Sequence, residues 1–122
     1  MKALIVDDSG VMRRIIAGAL GKAGITEVVH AADGYEAVGA VIEQDFDVVL
    51  MDWNMPNMKG IDAVREIRSM GSRMPIIMVT TEAEKSRVLE AIKAGANNYV
   101  IKPFEAEMLV AKVQDTLARA TA

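Results

Sequence analysis

The sequence predicts an α/β domain, a doubly wound sheet of five parallel strands with five helices on its two faces. Three observations carry this. Short apolar runs at about 3–6, 27–31, 46–51, 76–79 and 99–101 alternate with segments of helical periodicity. The strongest runs do not alternate apolar with polar residues, which marks strands buried on both faces. The connections are short, with no linker, repeat or low-complexity stretch, so successive strands join through right-handed helical crossovers.

Ala3 to Val6 forms the first strand, closed by Asp7-Asp8, and Ser9 caps the helix that follows. In that helix Met12, Ile15, Ile16, Ala19, Leu20 and Ala23 share one face, and Gly24 ends it. Glu27 to Ala31, interrupted by His30, is a weaker strand whose mixed polarity suits an edge. Asp33-Gly34 signals a turn, and Ala37, Val38, Val41 and Ile42 give the second helix its apolar face. Phe46 to Met51 is the third strand. It stops at Asp52, and a loop that Pro56 helps to fix runs on to Gly60. Ile61, Val64 and Ile67 mark the third helix, which Gly71 breaks. Pro75 introduces the fourth strand, Ile76 to Val79, ending in Thr80-Thr81. Val88, Leu89, Ala91 and Ile92 lie on a fourth helix from about Glu84 to Ala94, stopped by Gly95. Tyr99 to Ile101 is the fifth strand and ends in Lys102-Pro103. Leu109, Val113 and Leu117 place the last helix, with Ala118 to Ala122 expected to fray.

At 122 residues the chain reads as one domain, 1–122, long enough to bury about two-thirds of its unfolded surface. With 52% hydrophobic but only 4% aromatic residues, its core is aliphatic, and the nine methionines serve mostly as filler. A net charge of -3 without a basic stripe argues against a nucleic-acid partner. The absence of cysteine excludes a disulfide scaffold and suits a reducing compartment. The N-terminal apolar run is too short for a secretion signal or a membrane span. A cytoplasmic, monomeric domain is therefore expected, without membrane or nucleic-acid partners.

Parallel strands deliver their C-terminal residues to one rim, where open α/β sheets bind ligands. That rim gathers Asp7, Asp8, Asp52, Thr80 and Lys102. Two carboxylates about 6 Å apart at an effective dielectric near 20 repel by roughly 3 kcal/mol. Three are unfavourable unless positive charge sits among them or their pKa values rise. Lys102 answers part of this, and a hard divalent cation such as Mg²⁺ answers the rest. The expected metal site uses mainly Asp8 and Asp52, with Asp7 contributing directly or through water; the alternative is a set of solvated turn aspartates. A metal beside a carboxylate either activates water or neutralises a phosphoryl group that the carboxylate attacks. In the second case Lys102 and the Thr80 hydroxyl suit the phosphoryl oxygens. No G-x-x-x-x-G-K-[ST] loop is present, so the donor is not bound ATP.

Asp7-Asp8, Asp52, Thr80 and Lys102-Pro103 resemble, in order and in element, the signature positions of response-regulator receiver domains. The likeness runs the length of the chain. It is strongest toward the chemotaxis type, through the run Asp52 to Met58, Met12-Arg13-Arg14, Tyr99 and Lys102-Pro103-Phe104. The resemblance implies a flavodoxin-like fold with strand order 2-1-3-4-5. It implies that Asp52 takes a phosphoryl group from a phosphohistidine on a sensor histidine kinase. Asp7, Asp8, Asp52 and the backbone carbonyl of Asn54 would hold Mg²⁺. Lys102 would pair with phosphoryl oxygens, next to a cis bond to Pro103. Thr80 would move toward the phosphoryl group and Tyr99 turn inward behind it, reshaping the surface of the fourth helix, fifth strand and fifth helix. Asn54 and Glu82 occupy positions the family uses to tune dephosphorylation. Thr81, bulkier than the usual alanine, Lys59 and a short loop from Met70 to Pro75 depart from the pattern and bear on rates and partners.

Three functions compete. One is a phosphorylation-activated signalling module that docks to a target such as the flagellar motor switch, with no output domain of its own. The second is a phosphorelay intermediate that passes the group to a histidine phosphotransfer protein. The third is a metal-dependent phosphatase, which needs a general acid where Asn54 stands, and so ranks last. The chain is not expected to be an enzyme beyond its own phosphorylation and dephosphorylation; a separate phosphatase is a further candidate partner. His30 reads as structural or exposed, and Trp53 as a shield for the Asp52 loop. Met55 and Met58 stand out as loop methionines able to meet a partner, and Lys85, Lys93 and Lys112 as solvated.

Overall fold

Strands that are apolar on both faces must be covered on both, and the chain does so with helices. The computed structural model describes residues 1–120. Its strands are β1 (Lys2–Val6), β2 (Glu27–Ala31), β3 (Val48–Met51), β4 (Ile76–Thr80) and β5 (Asn98–Ile101). Its helices are α1 (Gly10–Lys22), α2 (Gly34–Glu43), α3 (Gly60–Ser69), α4 (Lys85–Ala94) and α5 (Ala106–Ala120). All pairings are parallel and the order is β2-β1-β3-β4-β5, the order expected, with the mixed-polarity β2 at an edge.

Alternate strand residues feed two cores. Leu4, Val6, Val49, Met51, Ile76 and Met78 pack with residues of α2, α3 and α4. Ala3, Ile5, Val48, Leu50, Ile77 and Val79 pack with α1 and α5. Each fully buried Leu, Ile or Met contributes about 1.5–3 kcal/mol by leaving water, so the continuous runs are the main adhesive of the fold.

Several local expectations shift. Phe46 and Asp47 precede β3 rather than belonging to it; Asp47 is tied to Lys2, its N–H donating to the Lys2 carbonyl and its carboxylate accepting the Lys2 N–H. Ile15, Ile42, Leu89 and Ile92, expected to face the core, are exposed. Each lies next to a residue that packs better, because the inward stripe of a helix is narrower than its apolar sequence. Helix α5 remains helical through Ala120 where fraying was expected, and 121–122 lie outside the described residues. Among the described residues, no helix is long and apolar enough to cross a membrane.

Register sets the rim. Val6 pairs with Met51, so the next residues, Asp7 and Asp52, leave the sheet side by side. Thr80 pairs with Ile101, which puts Lys102 one step beyond, its N–H donating to the Thr80 carbonyl at 2.8 Å.

Candidate functional site

Asp7 is 2% exposed at the end of β1, and each oxygen of its carboxylate has one partner. One oxygen accepts the Ser9 N–H at 2.9 Å; the other accepts the Lys102 Nζ at 2.7 Å. Asp52 is also buried. Its Oδ1 accepts the Trp53 N–H at 2.7 Å and its Oδ2 lies 3.4 Å from the Lys102 Nζ. Burial pushes the Asp52 carboxyl above the usual carboxylate range; Lys102 opposes that rise and the neighbouring Asp7 charge adds to it. The Trp53 N–H and the Thr80 hydroxyl, wholly buried at the end of β4, lower it again. Asp8, by contrast, is exposed.

The expected metal site, mainly Asp8 and Asp52 with Asp7 contributing directly or through water, meets an Asp7 carboxylate already held by Lys102 and the Ser9 N–H. One oxygen from each of Asp7, Asp8 and Asp52 lies within 4.8 Å of the others. Three hard carboxylate donors against one ammonium leave negative charge in excess, and that donor set fits Mg²⁺. Asn54, on the loop just past Asp52, is exposed and can offer its carbonyl from the same rim.

Around the cluster the backbone is tightly placed. Gly60 donates its N–H to the Trp53 carbonyl, and a Cβ built on it would stand 1.8 Å from the Asp52 carbonyl oxygen. Only glycine lets α3 start against the Asp52 peptide. The far side of the loop is moored to α2. Asp33 caps α2 by accepting the Glu36 N–H and also accepts the Asn57 side-chain N–H at 2.7 Å. The Gly34 N–H donates to the Met58 carbonyl. Asn57 sits in the left-handed region, at φ 68°, which asparagine tolerates better than most residues. The hydrogen bonds from Glu36 and Asn57 hold the Asp33 carboxyl below its usual range. Behind β1, Arg13 donates from Nη1 to the Asp7 carbonyl, bracing the first acidic residue.

Other expected residues fall as follows. Trp53 is 3% exposed and supports the loop from inside, as the shielding reading requires. Met55 is buried and Met58 half-buried against the core, so neither is a free loop methionine; the mooring to α2 folds that loop inward. The Tyr99 ring is buried, with its hydroxyl donating to the Glu82 carbonyl at 2.6 Å. Burial, then the Glu82 charge, pushes its phenol up to about 12, so Tyr99 stays protonated and remains a donor. The Glu82 Oε2 accepts from Asn54 Nδ2 at 2.9 Å, joining the two candidate tuning residues. The Lys102-Pro103 bond is cis. His30, Lys59, Thr81, Lys85 and Lys93 are exposed, and Lys112 is half-buried.

Sequence reasoning noted Arg13 only within a resembling run and Gly60 only as the end of the loop, and it missed the Asp33–Asn57 brace and Arg87. Arg87 lies over the Trp53 ring, 5.5 Å from its centroid. The Asp33-Gly34 dipeptide was legible as a turn, but nothing local says what a turn is moored to.

Comparison with known proteins bears directly on this rim. The sequence model of the response regulator receiver domain matches residues 3–114. A chemotaxis protein CheY homolog of Campylobacter jejuni is 46% identical over 120 residues, covering 96% of this chain and 92% of its own. The chemotaxis protein CheY of Pseudomonas aeruginosa is 43% identical over 121 residues, covering 98% of each. Among solved structures, Vibrio cholerae chemotaxis protein CheY4 superposes with a TM-score of 0.87 at 38% identity, covering 94% of this chain and 97% of its own.

Proposed function

Because the chain belongs to the response regulator receiver domain family, and to its CheY-like chemotaxis members, we propose how its rim performs phosphorylation-dependent two-component signalling. Asp52 is the phosphoryl acceptor. A sensor histidine kinase presents a phosphohistidine; an Asp52 carboxylate oxygen bonds to phosphorus as the phosphorus–nitrogen bond breaks. The electron pair stays on the imidazole, which leaves neutral with the proton it carried on its other nitrogen. Mg²⁺ bound by Asp7, Asp8, Asp52 and the Asn54 carbonyl would neutralise the oxygens of the transferring group. Lys102 meets the phosphoryl charge from the other side, and the Thr80 hydroxyl offers a hydrogen bond.

The observation that carries this reading is the sharing of one lysine between two buried carboxylates. Lys102 Nζ lies 2.7 Å from Asp7 and 3.4 Å from Asp52, so it is already aimed at the place where new negative charge appears. The domain has no catalytic task beyond gaining and losing its own phosphoryl group. Its output is a contact: Thr80 and Tyr99 couple the charge on Asp52 to the faces of α4, β5 and α5. We assign the flagellar motor switch as the target, with a cytoplasmic, monomeric protein as the messenger. Transfer onward to a histidine phosphotransfer protein is the competing outcome.

Small acyl phosphates test the acceptor. With acetyl phosphate and Mg²⁺, wild type should gain one phosphoryl group by intact mass, and Asp52→Asn should stay at background. Full labelling of Asp52→Asn would remove Asp52 from the role. Binding of motor-switch peptides that is indifferent to beryllofluoride would count against the docking output.

A further inference from the structure

Arg87 stands in the first turn of α4 and meets the phosphorylation loop from above. Its guanidinium lies over the face of Trp53, the residue next to Asp52. Nε is 3.6 Å from Glu82 Oε1, and Nη1 donates to Glu90 Oε1 at 3.1 Å. The other Glu82 oxygen accepts from the Asn54 amide at 2.9 Å. Asn54 and Glu82 follow Asp52 and Thr80 by two residues each, so their bond spans the two loops that border Asp52.

We infer that Arg87 is a positioning residue for loss of the phosphoryl group: it holds the Glu82 carboxylate against the Asn54 amide and thereby keeps hydrolytic water from the aspartyl phosphate. This rests on the function proposed above and deepens it by naming what regulates the lifetime of the phosphorylated site. Hydrolysis adds water to phosphorus and breaks the bond to the Asp52 oxygen, releasing inorganic phosphate and the carboxylate. The water must approach in line, opposite that oxygen. A latch between the two bordering loops obstructs the approach.

The physics favours arginine for the latch. An exposed ion pair alone is weak, because two long side chains must be ordered to form it. Arg87 has a second anchor. Trp53 is buried and therefore fixed, and a planar guanidinium can stack on an indole face while its edge pairs with carboxylates. Glu82 is fixed from behind as well, since the Tyr99 hydroxyl holds its carbonyl. Glu90 is shared with Arg65 of α3, which keeps Arg87 on the Glu82 side of α4.

The test uses the full chain phosphorylated with acetyl phosphate and Mg²⁺, freed of donor, with phosphoryl loss followed by intact mass. Arg87→Ala should shorten the lifetime about two- to fivefold, the factor an exposed pair of this kind controls. In the Glu82→Ala background the same substitution should have a much smaller effect, since only its contact with Trp53 then reaches the site. An Arg87→Ala lifetime equal to that of a normally labelled wild type overturns the positioning role alone. So does an effect that persists undiminished without Glu82. A wild type that takes up no phosphoryl group overturns the function beneath it, and this inference with it.

Discussion

Asp33 shows how far from the chemistry a site residue can stand. It neither touches the carboxylate cluster nor lies on the same strand, yet it caps α2 and holds Asn57 of the Asp52 loop. Asp33→Ala removes both bonds. It should cost about 1–2 kcal/mol, the range for a lost N-cap, and loosen the segment that carries Asn54. Chemical denaturation measures the first effect and hydrogen exchange across 53–59 the second. The pH dependence has a definite sign. The native Asp33 carboxyl is held below its unfolded range, so its contribution is present at neutral pH and lost as pH falls through the lowered native value. In the sequence, Asp7, Asp8, Asp52, Thr80 and Lys102 were readable because each ends a strand. The roles of Asp33 and Arg87 were not, because Asn57 and Trp53, the partners that tie them to the site, lie far off in sequence and on a loop, and Arg13 was not because its contact with the Asp7 carbonyl leaves no pattern in the sequence.

At the scale of elements, apolar runs and glycine breaks located every strand and helix, since burial on two faces leaves a run with no polar relief. Ends and faces were less legible. Phe46 looked like strand because it is apolar, but it serves the core from a loop; Ile15, Ile42, Leu89 and Ile92 looked inward because periodicity tolerates a neighbour's shift. The join between β3 and α3 is the element on which the site depends. Gly60 allows α3 to begin against the Asp52 carbonyl, and a methyl group there meets backbone rather than a yielding side chain. Gly60→Ala should therefore cost about 1–3 kcal/mol, as overpacking does, and displace Asp52 relative to Lys102. A lower melting temperature together with slower labelling by acetyl phosphate is expected; an unchanged labelling rate would show that the join does not govern the geometry.

For the molecule as a whole, parallel topology is the cause and charge crowding the consequence. Strands that all point one way bring three carboxylates to one rim, and one lysine cannot neutralise them. The fold accepts this cost because its two aliphatic cores supply the stability that the rim spends. The sign with pH follows from Asp52. Its native carboxyl is raised, so the native state binds more protons than the unfolded chain, and stability is lost as pH rises through that region. Thermal denaturation in low salt at neutral pH, with and without Mg²⁺, tests the central claim most directly. Without Mg²⁺, Asp52→Asn should melt above wild type by a few degrees, about 4 °C for each kcal/mol in a domain of this size. That advantage should vanish below the carboxylate range, and Mg²⁺ should raise wild type more than the variant. A variant that melts at or below wild type, with no stabilisation of wild type by Mg²⁺, would contradict a rim built as a strained cation site.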